Sequence, residues 1–295
     1  MKWLNIGMIS TIAFMDYTNA PPNTPIYQRG LDCLCMIEAT GRPSIIDALA
    51  DIAPDLARLA VSFVYGEIYP RPHLTIKDRQ LVTVAALAAL GNAKPQLKFH
   101  IAGALNVGSS PTEIVELMMH LVVYAGFPAG LNGVFAAKEV FEERGLNFAP
   151  PESTSLPHET RFRTGLDALS RIDGHAGEKV ISSLASVAPD LGRFIIEFGF
   201  GEIYTRPGLG LLERELITVA ALTALGNATP QLKVHAHGLL NVGGTREQLV
   251  ETVIHVAAYA GFPVAINAML SAEDVLAERE SEQASAATRD SDSSA

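Results

Sequence analysis

The chain has 295 residues, of which 48% are apolar and 18% charged, and carries a net charge of −10, with a mean hydropathy of +0.21. The length admits one large domain or two ordinary ones, and the acidic balance argues against nucleic acid as a partner because no broad basic field is left to hold a phosphate backbone. The apolar excess points to surface hidden between subunits, so oligomerisation is expected, whereas no continuous apolar run reaches the roughly 18 residues that would span a bilayer.

Taken from the start, residues 1–25 form a separate segment: Met1-Lys2 precedes an apolar run from Trp3 to Met15 that Asn5, Gly7, Ser10 and Thr11 interrupt. Pro21 follows the one plausible cleavage site, Ala20, which makes a poor secretory signal, and a cytoplasmic location is expected. Cys33 and Cys35 stand too close for a structural disulfide and too few for a zinc site, and they read as small core residues. Helical spacing covers 26–40, 43–51 and 54–69. Thr75 and Asp78 form a capping box that opens a helix closing at Gly91. Pro95 fits the first turn of the next helix, which ends near Asn106 and Gly108. Ser110 to Glu113 opens another that stops at Gly126, and Pro128 starts a last one that runs to about Arg144.

The same pattern then recurs. Shifted by 135 positions, Gly66-Glu67-Ile68-Tyr69 falls on Gly201-Glu202-Ile203-Tyr204 without a gap. Arg71-Pro72 falls on Arg206-Pro207, GNAKPQLKFH (91–100) on GNATPQLKVH (226–235), and YAGFP (124–128) on YAGFP (259–263). A first unit thus spans 26–146 and a second 161–280, with Thr245 and Gln248 as the second copy's capping box. Between them, 147–160 holds Pro150, Pro151, Ser153, Thr154, Ser155 and Pro157 and reads as an unpacked linker. The tail 281–295 offers almost nothing to bury and is expected to be disordered. With no alternating β-branched runs, the fold class is all-α.

The strings GEIYxRPxL, AALxALGNAxPQLKxH and YAGFP with a following Asn resemble the carboxymuconolactone decarboxylase family, within the alkylhydroperoxidase D-like superfamily. The resemblance implies a tandem duplication of an alkylhydroperoxidase D-like helical module, assembled as a homotrimer or other homo-oligomer, with pockets where modules meet. It also implies cofactor-free decarboxylation of a carboxylated lactone such as 4-carboxymuconolactone in aromatic catabolism. The peroxidase branch carries a C-x-x-C pair seven and four residues before a histidine. Here those positions are Ala93 and Gln96 before His100, and Ala228 and Gln231 before His235, so hydroperoxide reduction is not expected. Ser109 and Gly244 stand where some relatives have a cysteine after the NVG turn.

Decarboxylation leaves an electron pair on the substrate as an enolate, so a site needs an acid to protonate carbon and a cation to hold the departing carboxylate. The candidate catalytic residues are His235, Glu215, His100, Glu202, Glu67, His255 and His120, and the candidate substrate-binding residues are Arg206, Arg71, Asn267 and Asn132. His100 and His235 are candidate proton donors, or else buried histidines bonded to carbonyls. His120 and His255 each follow a carboxylate, Glu116 or Glu251, by four residues, as a catalytic pair or as mere helix support. Glu67 with Arg71, and Glu202 with Arg206, are read either as ion pairs fixing a turn or as an arginine poised over the substrate carboxylate and oriented by the glutamate. Asn132 and Asn267 either line the pocket or cap a turn. Phe127, Phe262, Tyr124 and Tyr259 read as core or subunit interface ahead of ligand platform. Gln80 in the first unit faces Glu215 in the second, where the superfamily commonly uses a glutamate as proton relay. An amide cannot accept and return a proton at neutral pH, so the second unit is expected to be the working one. No metal or cofactor is expected. Two other readings stay open: isomerisation or cyclisation of another small keto or lactone compound, and a non-catalytic oligomeric binding protein.

Overall fold

The computed structural model describes residues 24–151, 156–174 and 181–293, so the reading of the N-terminal stretch up to residue 23 and of Ser153 to Ser155 lies outside the described residues. All described regular structure is helical. The first module comprises α1 (Pro25–Glu38), α2 (Ser44–Ala48), α3 (Pro54–Leu59, continuing as the π-helical segment Ala60–Ile68), α4 (Ile76–Leu90), α5 (Lys94–Asn106) and α6 (Pro111–Glu143). The second comprises α7 (His158–Asp173), α8 (Pro189–Phe194, continuing as Ile195–Ile203), α9 (Leu211–Leu225), α10 (Thr229–Asn241), α11 (Arg246–Ala260) and α12 (Phe262–Ser293).

The punctuation in the sequence sets these boundaries. Thr75 Oγ1 accepts from the Asp78 backbone N–H while the Asp78 carboxylate accepts from that of Thr75, and Ser110 with Glu113 and Thr245 with Gln248 repeat the arrangement. α6 is interrupted at Gly126, whose φ of 83° breaks the helix before Pro128, and at the matching place Gly261 separates α11 from α12. α1 crosses α3 so tightly that a Cβ on Gly30 would lie 2.0 Å from the Val61 carbonyl oxygen; in the second module one on Gly165 would lie 2.2 Å from that of Ile196. These glycines let each first helix lie against the π-helical segment that leads to Tyr69 or Tyr204.

The two modules do not keep separate cores. α4 and α9 are buried on every side and pack against each other, with α6 and α11 crossing over them from the opposite modules. One apolar cluster runs through both modules, from Leu81 and Val84 to Ile217 and Val253. Two smaller clusters lie under α1 and α7 and hold Tyr65, Tyr69, Phe200 and Tyr204.

The linker is partly packed, because Phe148 lies against Phe141 with ring centroids 5.6 Å apart. The last helix continues to Ser293. Alanine, glutamate and arginine in this stretch favour helix.

Candidate functional site

The module boundary creates two composite sites related by the repeat. In the second module, α10 carries His235 and α9 carries Glu215, and the His235 Nδ1 to Glu215 Oε2 distance is 2.8 Å. Both side chains are buried. The Tyr204 hydroxyl, at the end of α8, donates to Glu215 Oε1 at 2.7 Å. Tyr124, from α6 of the other module, meets that hydroxyl at 2.6 Å and sets its ring edge-on against His235, with centroids 4.9 Å apart. Because the Tyr204 proton is committed to the carboxylate, Tyr124 donates to Tyr204. Burial and the neighbouring Glu215 charge hold both phenols well above the usual tyrosine range, so these tyrosines remain protonated. His235 Nε2 is left without a protein partner among the described residues.

The first module repeats this frame with other groups. His100 Nδ1 lies 3.0 Å from Gln80 Oε1, and the Gln80 amide donates to the Tyr69 hydroxyl at 3.0 Å. Tyr69 in turn meets Tyr259 of the second module at 2.9 Å. His100 is buried, which pushes its pKa down to about 3 and keeps it neutral. It opens into a cavity of about 290 Å³ lined by Leu34, Glu38, Ser44, Ile45, Tyr65, Pro95, Gln96 and Phe99. The repeat counterparts of Ser44 and Ile45 are residues 179 and 180, which lie outside the described residues.

Behind each site sits an ion-pair clamp between modules. Arg71 donates through Nε and NH2 to Glu251 at 2.7–3.0 Å, and the fully buried Arg79 reaches the same carboxylate at 3.1 Å. In the mirror arrangement Arg206 grips Glu116 at 2.7–3.1 Å, and Arg214 stands 3.6 Å from it. Burial alone would raise Glu251, but its hydrogen bonds from Arg71 and Arg79 outweigh that and hold it below the usual carboxylate range.

His255 sits in the clamp. Thr83 donates to the Arg79 carbonyl at 2.8 Å, so the 2.8 Å contact with His255 Nε2 is a donation from the ring, and His255 Nδ1 accepts from Arg79 NH1 at 3.3 Å. His120 is held identically by Thr218 and Arg214. Burial and the adjacent arginine push both histidines well below their ordinary pKa.

The structure therefore redistributes the candidates. It brings His235 and Glu215 together, and likewise His100 and Gln80. His120 and His255 are fully buried with both ring nitrogens occupied, which suits a positioning role and leaves none for substrate. Their glutamates, Glu116 and Glu251, bond arginines across the module boundary and do not pair with them. Arg71 and Arg206 do not pair with Glu67 and Glu202 either, and the edge that would grip a substrate carboxylate already grips a glutamate. Glu202 instead meets Arg161 at 2.5 Å, and Glu67 lines an apolar groove beside Arg71. Asn132 and Asn267 are exposed; Asn132 lines a separate cavity with Gly91 and Lys94. Cys33 and Cys35 are free thiols, and burial pushes Cys33 up to about 11. Sequence reasoning missed Tyr69, Tyr204, Arg79, Arg214, Thr83 and Thr218 and read Tyr124 and Tyr259 as core or interface. The available signal was polar residues at 79, 80 and 83, repeated at 214, 215 and 218, inside helices otherwise apolar on all sides.

The family model described as "Carboxymuconolactone decarboxylase family" matches residues 54–139 and again 189–274, once in each module. The chain belongs to the carboxymuconolactone decarboxylase family. A 4-carboxymuconolactone decarboxylase from Acinetobacter baylyi is 35% identical over 118 residues, 40% of this chain and 87% of the relative. The nitrosuccinic acid decarboxylase npaB from Metarhizium robertsii is 31% identical over 116 residues, 38% of this chain and 79% of that one. A crystal structure from Burkholderia xenovorans, described as a gamma-carboxymuconolactone decarboxylase subunit, matches with a TM-score of 0.54 at 25% identity. It covers 86% of this chain and 98% of its own. The two sites thus lie in a carboxymuconolactone decarboxylase scaffold, a carboxy-lyase-like framework in which both copies share one core.

Proposed function

We propose that the protein is a decarboxylase of a small carboxylic acid, of the carboxylated-lactone class exemplified by 4-carboxymuconolactone, and that the second module does the chemistry. The observation that carries this reading is the buried Glu215–His235 pair, closed on its far side by Tyr204 and Tyr124. The bond from the substrate's α-carbon to its carboxylate breaks, carbon dioxide leaves, and the electron pair stays behind as an enolate. Protonated His235 delivers a proton from Nε2 to that carbon, and the neutral ring then regains one from solvent. Glu215 fixes the ring through Nδ1 and balances the imidazolium charge, which the Gln80 amide cannot do for His100. Arg206 and Arg214 hold α6 of the other module so that Tyr124 meets Tyr204. The decarboxylases that resemble the chain support this reading through their names.

The test is carbon dioxide release from 4-carboxymuconolactone and from nitrosuccinic acid by the full chain, with Glu215→Gln, His235→Ala and His100→Ala compared. The first two changes abolish or cripple turnover and the third does not. Loss of turnover through His100→Ala alone overturns the proposal.

We also propose that copies of the chain associate. Phe127, Leu131 and Phe135 form an exposed apolar stripe at four-residue spacing, and Phe262, Ile266 and Leu270 repeat it on the second module. A self-complementary surface that appears twice per chain suits closed assembly with further copies, a trimer being the expected size. Light scattering that returns a monomer across micromolar concentrations would refute it.

A further inference from the structure

The Gln80 and Glu215 difference does more than remove an acid: it reverses the direction in which hydrogen bonds run. In the second site every donor points to the carboxylate, Tyr124 to Tyr204, Tyr204 to Glu215, and His235 to Glu215. In the first site the Gln80 carbonyl oxygen accepts from His100 Nδ1–H, so the amide N–H must donate to Tyr69. The Tyr69 proton is then free to go to Tyr259, and the chain of donors runs away from His100. Tyr65 has no counterpart hydroxyl in the second module, where Phe200 takes its place.

This polarity fixes His100 as the Nδ1–H form and leaves Nε2 as an unshared electron pair. That nitrogen has no protein partner among the described residues, His100 is 3% exposed, and the residue lines the 290 Å³ cavity. The cavity lining contains no cation. Its one charged group is Glu38, whose carboxylate accepts from the Ser44 backbone N–H and which repels an anionic ligand. The remaining walls are apolar or aromatic, with Phe99 edge-on to His100 at 5.0 Å, and Ser44, Pro95 and Gln96 are exposed at the mouth. The volume is near the lower bound of about 300 Å³ for small-molecule sites.

We infer that the His100 cavity is a second ligand site that takes an uncharged hydroxylated ring compound, of the phenol or enol class, whose hydroxyl donates to His100 Nε2. It does not take the carboxylate that the second module is proposed to act on. The inference stands on the cavity and its hydrogen-bond polarity and is independent of whether the second module decarboxylates.

The test is imidazole 15N NMR of the full chain, with phenol and benzoate as the probes and His100→Phe to assign the signal. The expected result is a neutral Nδ1–H tautomer for His100 from pH 5.5 to 8. Phenol moves its Nε2 resonance, and benzoate at the same concentration does not. The His100→Phe change weakens phenol binding by up to about tenfold, the worth of one neutral hydrogen bond. Gln80→Glu, which leaves every ring in place, erases the preference for phenol over benzoate. An Nε2–H tautomer, a benzoate response equal to that of phenol, or an unchanged preference in Gln80→Glu overturns the inference.

Discussion

Replacing Glu116 by alanine tests the clamp between modules. Glu116 is 1% exposed and its carboxylate receives three bonds from two nitrogens of Arg206, while Arg214, 0% exposed, stands 3.6 Å away. Arg214 keeps its bond to the Arg206 carbonyl at 2.8 Å and its contact with His120 at 3.3 Å, but neither supplies a negative charge. Removing the carboxylate therefore leaves two guanidinium groups facing one another, one of them entirely out of water, at a cost of about 3–5 kcal/mol. Urea unfolding followed by far-UV circular dichroism measures this directly, and because the modules share one core the loss should come in a single transition. Glu142→Ala is the control, since Glu142 forms an exposed pair with Lys138 at 3.8 Å, and such pairs contribute little. A Glu116→Ala protein within about 1 kcal/mol of wild type, below the range for a broken buried pair, would refute the reasoning. So would separate melting of the two halves.

Glu215→Gln should lower kcat by about 10²–10⁴, the usual worth of general acid–base catalysis, with stability nearly unchanged, because Gln80 already fits the same place beside His100; carbon dioxide release and thermal melting check the two parts. Gly238→Ala should impair both activity and folding. The new Cβ would lie 2.9 Å from Glu215 Oε2 and 2.8 Å from Ile172 Cγ2, an overpacking cost of about 1–3 kcal/mol, and an unaltered urea midpoint would count against it. Stability should also fall with pH below about 6.5, the histidine value in the unfolded chain. His100, His120 and His255 have depressed values in the folded state, so the unfolded chain binds more protons in this window. Each contributes up to about 1.4 kcal/mol per pH unit, lost as pH falls toward about 3 for His100. The range from pH 6.5 to 5.5 is diagnostic because carboxylates contribute little there, and a flat unfolding midpoint across it would contradict the burial of these rings.

The helix ends were legible because each rests on local chemistry. The capping boxes at Thr75, Ser110 and Thr245 and the break at Gly126 need only near neighbours in the chain. The pairing of His235 with Glu215 was also foreseeable, since the repeat aligns both with a histidine and an amide that had to be compared. What spacing could not reveal is which module supplies a partner. Arg71 has a carboxylate four residues before it, yet it bonds Glu251, 180 positions away. Tyr124 reads as core because it is an aromatic residue in an apolar helix, and its hydroxyl gains meaning only when α6 crosses onto the other module. Helical periodicity reports the face a residue occupies and carries no information about contacts of that range.

Each site draws its second tyrosine from the opposite half of the chain, and this bears on how the two sites became different. In an assembly of identical single modules, any change made beside one histidine is made beside every histidine. Joining two copies into one polypeptide gives each half its own codons, so position 80 can become an amide while position 215 stays an acid. One pocket is then free to acquire a new ligand while the other retains its chemistry, with a common interior keeping both in shape.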